Sequence, residues 1–416
     1  MSIASGPGIR GLLAALAALA ALAGLALAGA AVAQPAAPPT SADEAAVPLD
    51  KLTGLAGAAI AEVRGDLVGA FKLYLEAAET GDVRAQYLVG RAYNLGSGVA
   101  EDSAKAVVWY RKAADQGDHF AKGDLGLMML FGRGVAQDKA EGLRLLQVAG
   151  AAGATASQSN LCVIYVQGGV TPRDPKAARP WCEKAAAGGE APAQFVMANL
   201  IRFGEAGFRR DDRKAVIWLR PAAEKGFPQA QNLLGVMTTN GWGADKDVAA
   251  GLGWYRQAAA KHELYAQYNL GEAYRQGRGV AADQQQAMAW YHQAAAQGHL
   301  ASEKLLADAY EVGAGAPVDP IEAFQWWRRA ADQGDATAQA KVGLAYANGV
   351  GPPQDPMLAL MWMRLSEARE PKRVPTLEQA AARAQLLASL SPQEIAEADA
   401  LARSWRPRCV PDKACP

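Results

Sequence analysis

From residue 66 onward the chain repeats itself at a nearly fixed interval. The Gly that closes each Ala-Ala-x-x-Gly-like stretch falls at Gly81, Gly117, Gly153, Gly189, Gly226, Gly298 and Gly334, with His262 and Glu370 at equivalent places, and the spacings are 36, 36, 36, 37, 36, 36, 36 and 36. Such a period belongs to a solenoid, in which each unit covers its apolar face with its neighbours. It overrides the two or three globular domains that a length of 416 residues would otherwise suggest.

Each unit carries the same internal marks. After the anchor glycine comes a stretch such as Ala85–Tyr93 with apolar or small residues at helical spacing, which predicts a first helix, helix A. Its central glycine recurs as Gly90, Gly126, Gly235, Gly271 and Gly343, replaced by Cys162, Ala198 and Ala307 elsewhere. A mid-helix glycine costs about 1 kcal/mol relative to alanine, so its recurrence predicts a neighbouring helix too close for a side chain. An aromatic three residues later (Tyr93, Tyr165, Tyr274, Tyr310, Tyr346) is assigned to the core.

A glycine pair such as Gly96/Gly98 or Gly277/Gly279 then suits a left-handed cap and tight turn. Aspartate recurs at the N-cap of the second helix, helix B: Asp66, Asp102, Asp138, Asp174, Asp211, Asp247, Asp283, Asp319 and Asp355. Proline follows Asp174, Asp319 and Asp355, as fits a first helical position. A recurring cap accounts for these acids without metal binding or catalysis. Helix B carries Trp109, Trp181, Trp218, Trp254, Trp290, Trp326 and Trp362 at one phase, with Leu145 in the remaining unit, which predicts an inter-helix core stripe.

The pattern Ala-x-x-Leu-Gly-x-x-Tyr-x-x-Gly-x-Gly-Val-x-x-Asp-x-x-x-Ala-x-x-Trp-x-x-x-Ala-Ala-x-x-Gly is similar to the Sel1-like repeat, a relative of the tetratricopeptide repeat. The resemblance covers residues 66–370. It implies an all-α, right-handed α-solenoid of antiparallel helix pairs, with helix A lining the concave face. Residues 82–370 then form eight repeats, and 51–81 an N-terminal capping region in which 66–81 supplies only a helix B. Residues 371–416 form C-terminal capping helices and a cysteine-containing tail; Thr376–Leu390 reads as one helix, and a capping box at Ser391–Glu394 opens another that runs to Trp405. The insertion within Gly204–Arg210, the Leu145 unit and His262 depart from the pattern.

Residues 1–33 read as a signal peptide. Arg10 precedes an uncharged Ala/Leu run from Gly11 to Ala33, and Ala31-Val32-Ala33 forms a small-x-small cleavage site before Gln34. An uncleaved anchor is the alternative, since the run is long enough to span a bilayer. With no cysteine between Arg10 and Asp50 there is no lipid acceptor, so the expectation is a periplasmic or secreted product with no stable membrane insertion after cleavage. Residues 34–50 are a Pro/Ala-rich, disordered linker in this reading.

The chemistry to support an enzyme is sparse. The four histidines, His119, His262, His292 and His299, form no zinc-protease motif, and neither a nucleophile elbow nor a phosphate loop is present. Lysine plus arginine equals aspartate plus glutamate, 42 against 42, so there is no basic field for nucleic acid. No cofactor, metal site or catalytic residue is expected. In an exported chain the four cysteines suggest disulfides: Cys409 with Cys415 in the tail, and Cys162 with Cys182 between helices A and B of one unit, two buried thiols being the alternative for the second pair.

By analogy with tetratricopeptide repeats, the positions three before the helix A glycine, and one, four and five after it, face a groove. They hold Tyr87, Arg91, Asn94, Leu127, Phe131, Phe195, Asn199, Arg202, Phe203, Asn232, Asn240, Tyr268, Glu272 and Arg275, which vary from unit to unit. Carboxamides pair with peptide backbone, arginines with carboxylates, and aromatics accept apolar anchors. The expected function is an exported scaffold binding a protein or peptide of the envelope, as a regulator or assembly factor. A cell-wall-directed hydrolase is the alternative.

Overall fold

The computed structural model describes residues 53–408. The expected signal peptide, the 34–50 linker and the Cys409–Cys415 pair lie outside the described residues. Among the described residues there are twenty α-helices and no strand. The chain divides into two compact bodies, up to Lys225 and from Gly226.

The N-terminal body holds five helix pairs: α1 (Gly54–Val63) with α2 (Leu67–Glu79), α3 (Val83–Leu95) with α4 (Ser103–Asp115), α5 (His119–Phe131) with α6 (Lys139–Ala151), α7 (Thr155–Gln167) with α8 (Pro175–Ala187), and α9 (Ala191–Phe203) with α10 (Asp212–Glu224). The C-terminal body continues with α11 (Pro228–Asn240), α12 (Val248–Ala259), α13 (Leu264–Gln276), α14 (Gln284–Ala296), α15 (Leu300–Val312), α16 (Pro320–Asp332), α17 (Ala336–Asn348) and α18 (Pro356–Arg369), followed by α19 (Leu377–Ser389) and α20 (Pro392–Ser404). Within each body every helix up to α18 packs on the next in sequence, which is the layering of an α-solenoid. The helix α1 corrects one expectation. Residues 66–81 are not a lone helix B, because Ala58 and Ala61 of α1 pack with Ala70, Tyr74 and Ala78 of α2 as a full pair. The Gly- and Ala-rich sequence of α1 lacks the motif residues, which hid it.

Helix lengths follow from punctuation. All nine helix B aspartates accept a backbone N–H of the first turn of their helix. At the other boundary the anchor glycines adopt positive φ, and His262 takes the same region at 59°. The anchor carbonyls are also used between pairs: Gly81 O accepts from Gln116, Gly189 O from Lys225, Gly226 O from Lys261 and Gly298 O from Gln333.

The core is built on the helix A glycine. A β-carbon on Gly90 would lie 2.6 Å from the ring of Tyr110, and one on Gly235 or Gly271 would lie 2.7 or 2.4 Å from Tyr255 or Tyr291, so helix B of the same pair is the close neighbour. This also corrects the tryptophan stripe. The residue after the tryptophan position is enclosed in every pair from α3/α4 onward: Tyr110, Leu146, Cys182, Leu219, Tyr255, Tyr291, Trp327 and Met363 are all buried. Trp109, Trp181, Trp218, Trp254 and Trp290 are half-buried, whereas Trp326 and Trp362 are enclosed. One residue is about 100° of helix, so only one of two adjacent side chains can point at the partner's glycine. Lys112 covers the outer face of Trp109 at 3.8 Å.

At the C-terminal end both expected helices form, each opened by a complete capping box, at Thr376/Gln379 and Ser391/Glu394. α20 closes the last pair through Trp405 against Trp362 and through Arg364 to Asp399 at 3.0 Å.

Candidate functional site

The surface that differs between repeats lies on helix A. At about 100° per residue, positions three before and four after the central glycine sit roughly 40–60° from it, on the flank that meets a neighbouring helix. Positions six and two before, and one and five after, sit roughly 100–160° away and look outward. Burial follows this division in part: on the flank Tyr268 is half-buried and Arg275 exposed, and on the outward rows Asn160, Val163 and Val196 are buried. Tyr87, Asn94, Phe195 and Asn232, expected in the groove, are 5, 6, 2 and 5 % exposed. Tyr87 packs with Ala121 and Leu125 of α5, Asn94 accepts a hydrogen bond from Arg133, and Asn232 accepts one from Asn269. These four therefore build the layer between repeats.

The other expected residues are more open. Arg91, Leu127 and Asn199 are half-buried, Phe131 is exposed, and the Asn199 and Asn240 carboxamides donate back to the carbonyls of Phe195 and Val236. Arg202 is mostly covered, 3.8 Å from Asp212, and its guanidinium lies over Phe203. In the C-terminal body Arg275 makes a two-pronged bond to Glu272, which also accepts from Tyr291 at 2.6 Å. Burial would raise the Glu272 carboxyl, but the bonds from Arg275 and Tyr291 outweigh it and hold the group below its ordinary value. Tyr268 is half-buried against the rings of His299 and Tyr291. The charges on this face are thus largely paired with one another.

The N-terminal body presents a different face. Five after the glycine stand Leu95, Phe131 and Phe203, 37, 37 and 40 % exposed, with Gln167 between the last two. Arg84 lies over the rings of Tyr87 and Phe120, and Arg91 over Tyr87. Beside them burial pushes the Asp124 carboxyl up to about 6, against the lowering influence of Arg91 and of the Tyr87 and Tyr110 hydroxyls.

Next to Phe131 a cavity of about 230 Å³ opens between α5 and α7. Leu127, Leu130, Phe131, Val163, Ile164 and Val170 form its apolar wall, and Gln137, Lys139, Asn160 and Gln167 its polar part. Local sequence explains it. Six other helices A, α3, α5, α11, α13, α15 and α17, end at a Gly-x-Gly turn whose first glycine is left-handed, as at Gly96 with φ 67° and ψ 31°. Here the glycines are adjacent, and Gly168 caps α7 at φ 81° and ψ −163°, so the chain leaves extended and places Gly168, Gly169 and Val170 in the cavity lining. Asn160, Gln167 and Lys139 were not singled out in the sequence, although the adjacent glycines were its visible signal.

Cys162 and Cys182 form a disulfide across α7 and α8, flanked by the cavity residues Val163 and Ile164. His292 meets the Tyr310 hydroxyl, and His299 caps α15. Among the described residues no group of three or more His, Cys, Asp or Glu is arranged to hold a metal ion, and no helix is long and apolar enough to cross a membrane.

Comparison with known proteins places these features in context. A family model described as Sel1 repeat matches nine stretches, 57–82, 83–118, 121–153, 155–190, 191–227, 228–262, 264–299, 301–335 and 336–368. The first falls largely on the α1/α2 pair. The crystal structure of a Sel1 repeat protein from Oxalobacter formigenes is similar at 29 % identity and TM-score 0.56, covering 76 % of this chain and 90 % of that one. A protective antigen of uropathogenic Escherichia coli displaying an SLR fold is similar at 26 % identity and TM-score 0.43, covering 82 % and 87 %. No match is found among curated proteins.

Proposed function

The chain belongs to the Sel1 repeat family, and on that premise we propose that it is an exported scaffold which holds a partner protein of the bacterial envelope on the outward face of its helices A. A repeat scaffold of this kind is suited to protein–protein interaction, because stacking consumes the repeated positions and leaves the varying ones for recognition. The observation that carries the reading is the row Leu95, Phe131 and Phe203. These large apolar side chains stay partly in water at matching positions of α3, α5 and α9, and Phe131 lines the cavity between α5 and α7. Exposed apolar side chains in register, rimmed by arginines, have the composition of an interaction patch.

Export rests on the Arg10-to-Ala33 segment with its cleavage site, and the Cys162–Cys182 bond supports an oxidising compartment. No geometry among the described residues favours the hydrolase alternative.

Two measurements test this. N-terminal sequencing of the exported fraction should find Gln34 first; retention of Met1 in a membrane pellet counts against export. A folded Leu95→Ala, Phe131→Ala, Phe203→Ala variant should lose the proteins captured by the wild type from an envelope extract. If it keeps every one, with unchanged helical content, the outward face is not the working surface.

A further inference from the structure

The cavity between α5 and α7 has apolar walls but an unpaired polar group. Asn160 is 6 % exposed, and it lines the cavity. Gln167 lines the same space, and its Nε2 is buried without a partner. Buried amides in folded proteins are ordinarily paired, so the unpartnered Nε2 of Gln167, with the Asn160 carboxamide in the same lining, marks a site that a ligand completes. Each offers both a donor and an acceptor, the pair of groups that a peptide unit presents in return. Lys139 lies exposed in the lining, with no ion pair among the described residues.

Size and charge narrow the ligand. At about 230 Å³ the cavity falls below the roughly 300–1,000 Å³ of a site for a drug-sized molecule, and suits one large side chain. The outward rows of the N-terminal body carry Arg84 and Arg91 against the single acid Asp124, and Lys139 adds to the surplus. In the C-terminal body the same rows hold Glu272 and Asp308 against Lys341. Within the cavity lining Lys139 is the one charged side chain and no carboxylate is present, which favours an acidic partner segment.

We infer that this cavity takes one leucine or phenylalanine side chain from an acidic segment of the partner, with Asn160 and Gln167 completing hydrogen bonds to the peptide unit beside it and Lys139 meeting a flanking carboxylate. The inference rests on the scaffold reading above and names what that scaffold recognises.

The probes are blocked pentapeptides Gly-Glu-Xaa-Glu-Gly, with Xaa Leu, Phe or Ala, and the basic analogue Gly-Lys-Leu-Lys-Gly. They are titrated to millimolar concentration into the full chain while the side-chain amide signals of Asn160 and Gln167 are followed by NMR. The Leu and Phe peptides should shift both signals, and the Ala peptide should bind at least about tenfold more weakly, as fits a side chain removed from an apolar pocket. The basic analogue should not bind. Lys139→Glu should weaken the Leu peptide by roughly fivefold or more through loss and reversal of one charge. Asn160→Leu should weaken it about tenfold with unchanged helical content; should that variant not fold, the peptide series and Lys139→Glu decide.

Equal binding of the Leu and Ala peptides, equal binding of the acidic and basic ones, or no shift with any peptide overturns the inference. Partner capture separates the two levels. If Leu127→Trp, which fills the cavity, keeps the native partner while the Leu95/Phe131/Phe203 variant loses it, the cavity assignment falls and the scaffold reading stands. If both keep it, the scaffold surface itself is wrong.

Discussion

Cys162 and Cys182 are joined at the two positions where other pairs set a glycine against an aromatic ring. Cys162 stands where Gly90, Gly235 and Gly271 stand, and Cys182 where Tyr110, Tyr255 and Tyr291 stand, each twenty residues further on. One pair thus replaces a close van der Waals contact by a covalent bond, beside the candidate cavity.

The bond closes a loop with a sequence separation of 20, so reducing it should cost about 3 kcal/mol. A Cys162→Gly, Cys182→Tyr variant recreates the contact found in the other pairs. It should recover part of the stability lost by Cys162→Ala, Cys182→Ala, measured as urea midpoints under reducing conditions. A double variant no more stable than the alanine pair would show that this α7/α8 interface is shaped differently.

Gly90→Ala sets helix propensity against packing. Alanine favours an isolated helix by about 1 kcal/mol, but here its Cβ would lie 2.6 Å from Cδ1 of the fully buried Tyr110 ring. Overpacking by a methyl group costs about 1–3 kcal/mol when neighbours cannot yield. A net loss of stability on chemical denaturation is expected; a gain would mean that the ring moves freely.

Adjacent aromatic residues in α12 should differ sharply. Tyr255 is 6 % exposed and packs on Gly235, while Trp254 is half-buried. Tyr255→Ala should cost about 3–5 kcal/mol by emptying an enclosed site. Trp254→Ala should cost roughly 1–2 kcal/mol, in proportion to its partial burial. The reverse order in thermal unfolding would restore the tryptophan to the core.

His299 makes the C-terminal body sensitive to acid. Burial lowers its imidazole from 6.5 to about 4, and its Nδ1 accepts the Ser302 N–H at 3.3 Å, a role only the unprotonated nitrogen can fill. Because the folded pKa lies below the unfolded one, its contribution is fully present above pH about 6.5 and is lost as pH falls toward 4, by up to about 3 kcal/mol. His299→Asn keeps a capping side chain without this titration, so stability between pH about 6.5 and 4 should fall less in the variant than in the wild type. Parallel profiles would remove His299 from the account.

The repeat period, the nine helix B caps, the glycine turns and the capping box at Ser391–Glu394 were legible in sequence because each is a local backbone requirement. Aspartate accepts an N–H within its own first turn, and glycine permits a left-handed residue, whatever packs outside. The α1 helix was missed because its small residues meet α2 without the motif. The groove was only partly legible. Two positions eight residues apart on one helix look alike in a list, but Tyr87 and Phe195 are pressed between repeats while Phe131 and Leu95 face water. That division depends on the angle at which neighbouring helices meet, which no single helix encodes. The cavity depended on more still: one changed turn at Gly168-Gly169 had to coincide with Leu127 and Phe131 on α5 and with Asn160 on α7. The sequence by itself determined where each motif-bearing helix begins, ends and repeats, since those choices are made within a few residues. Only the tertiary structure decided which side chains were left open, because exposure is set by what the neighbouring repeat covers.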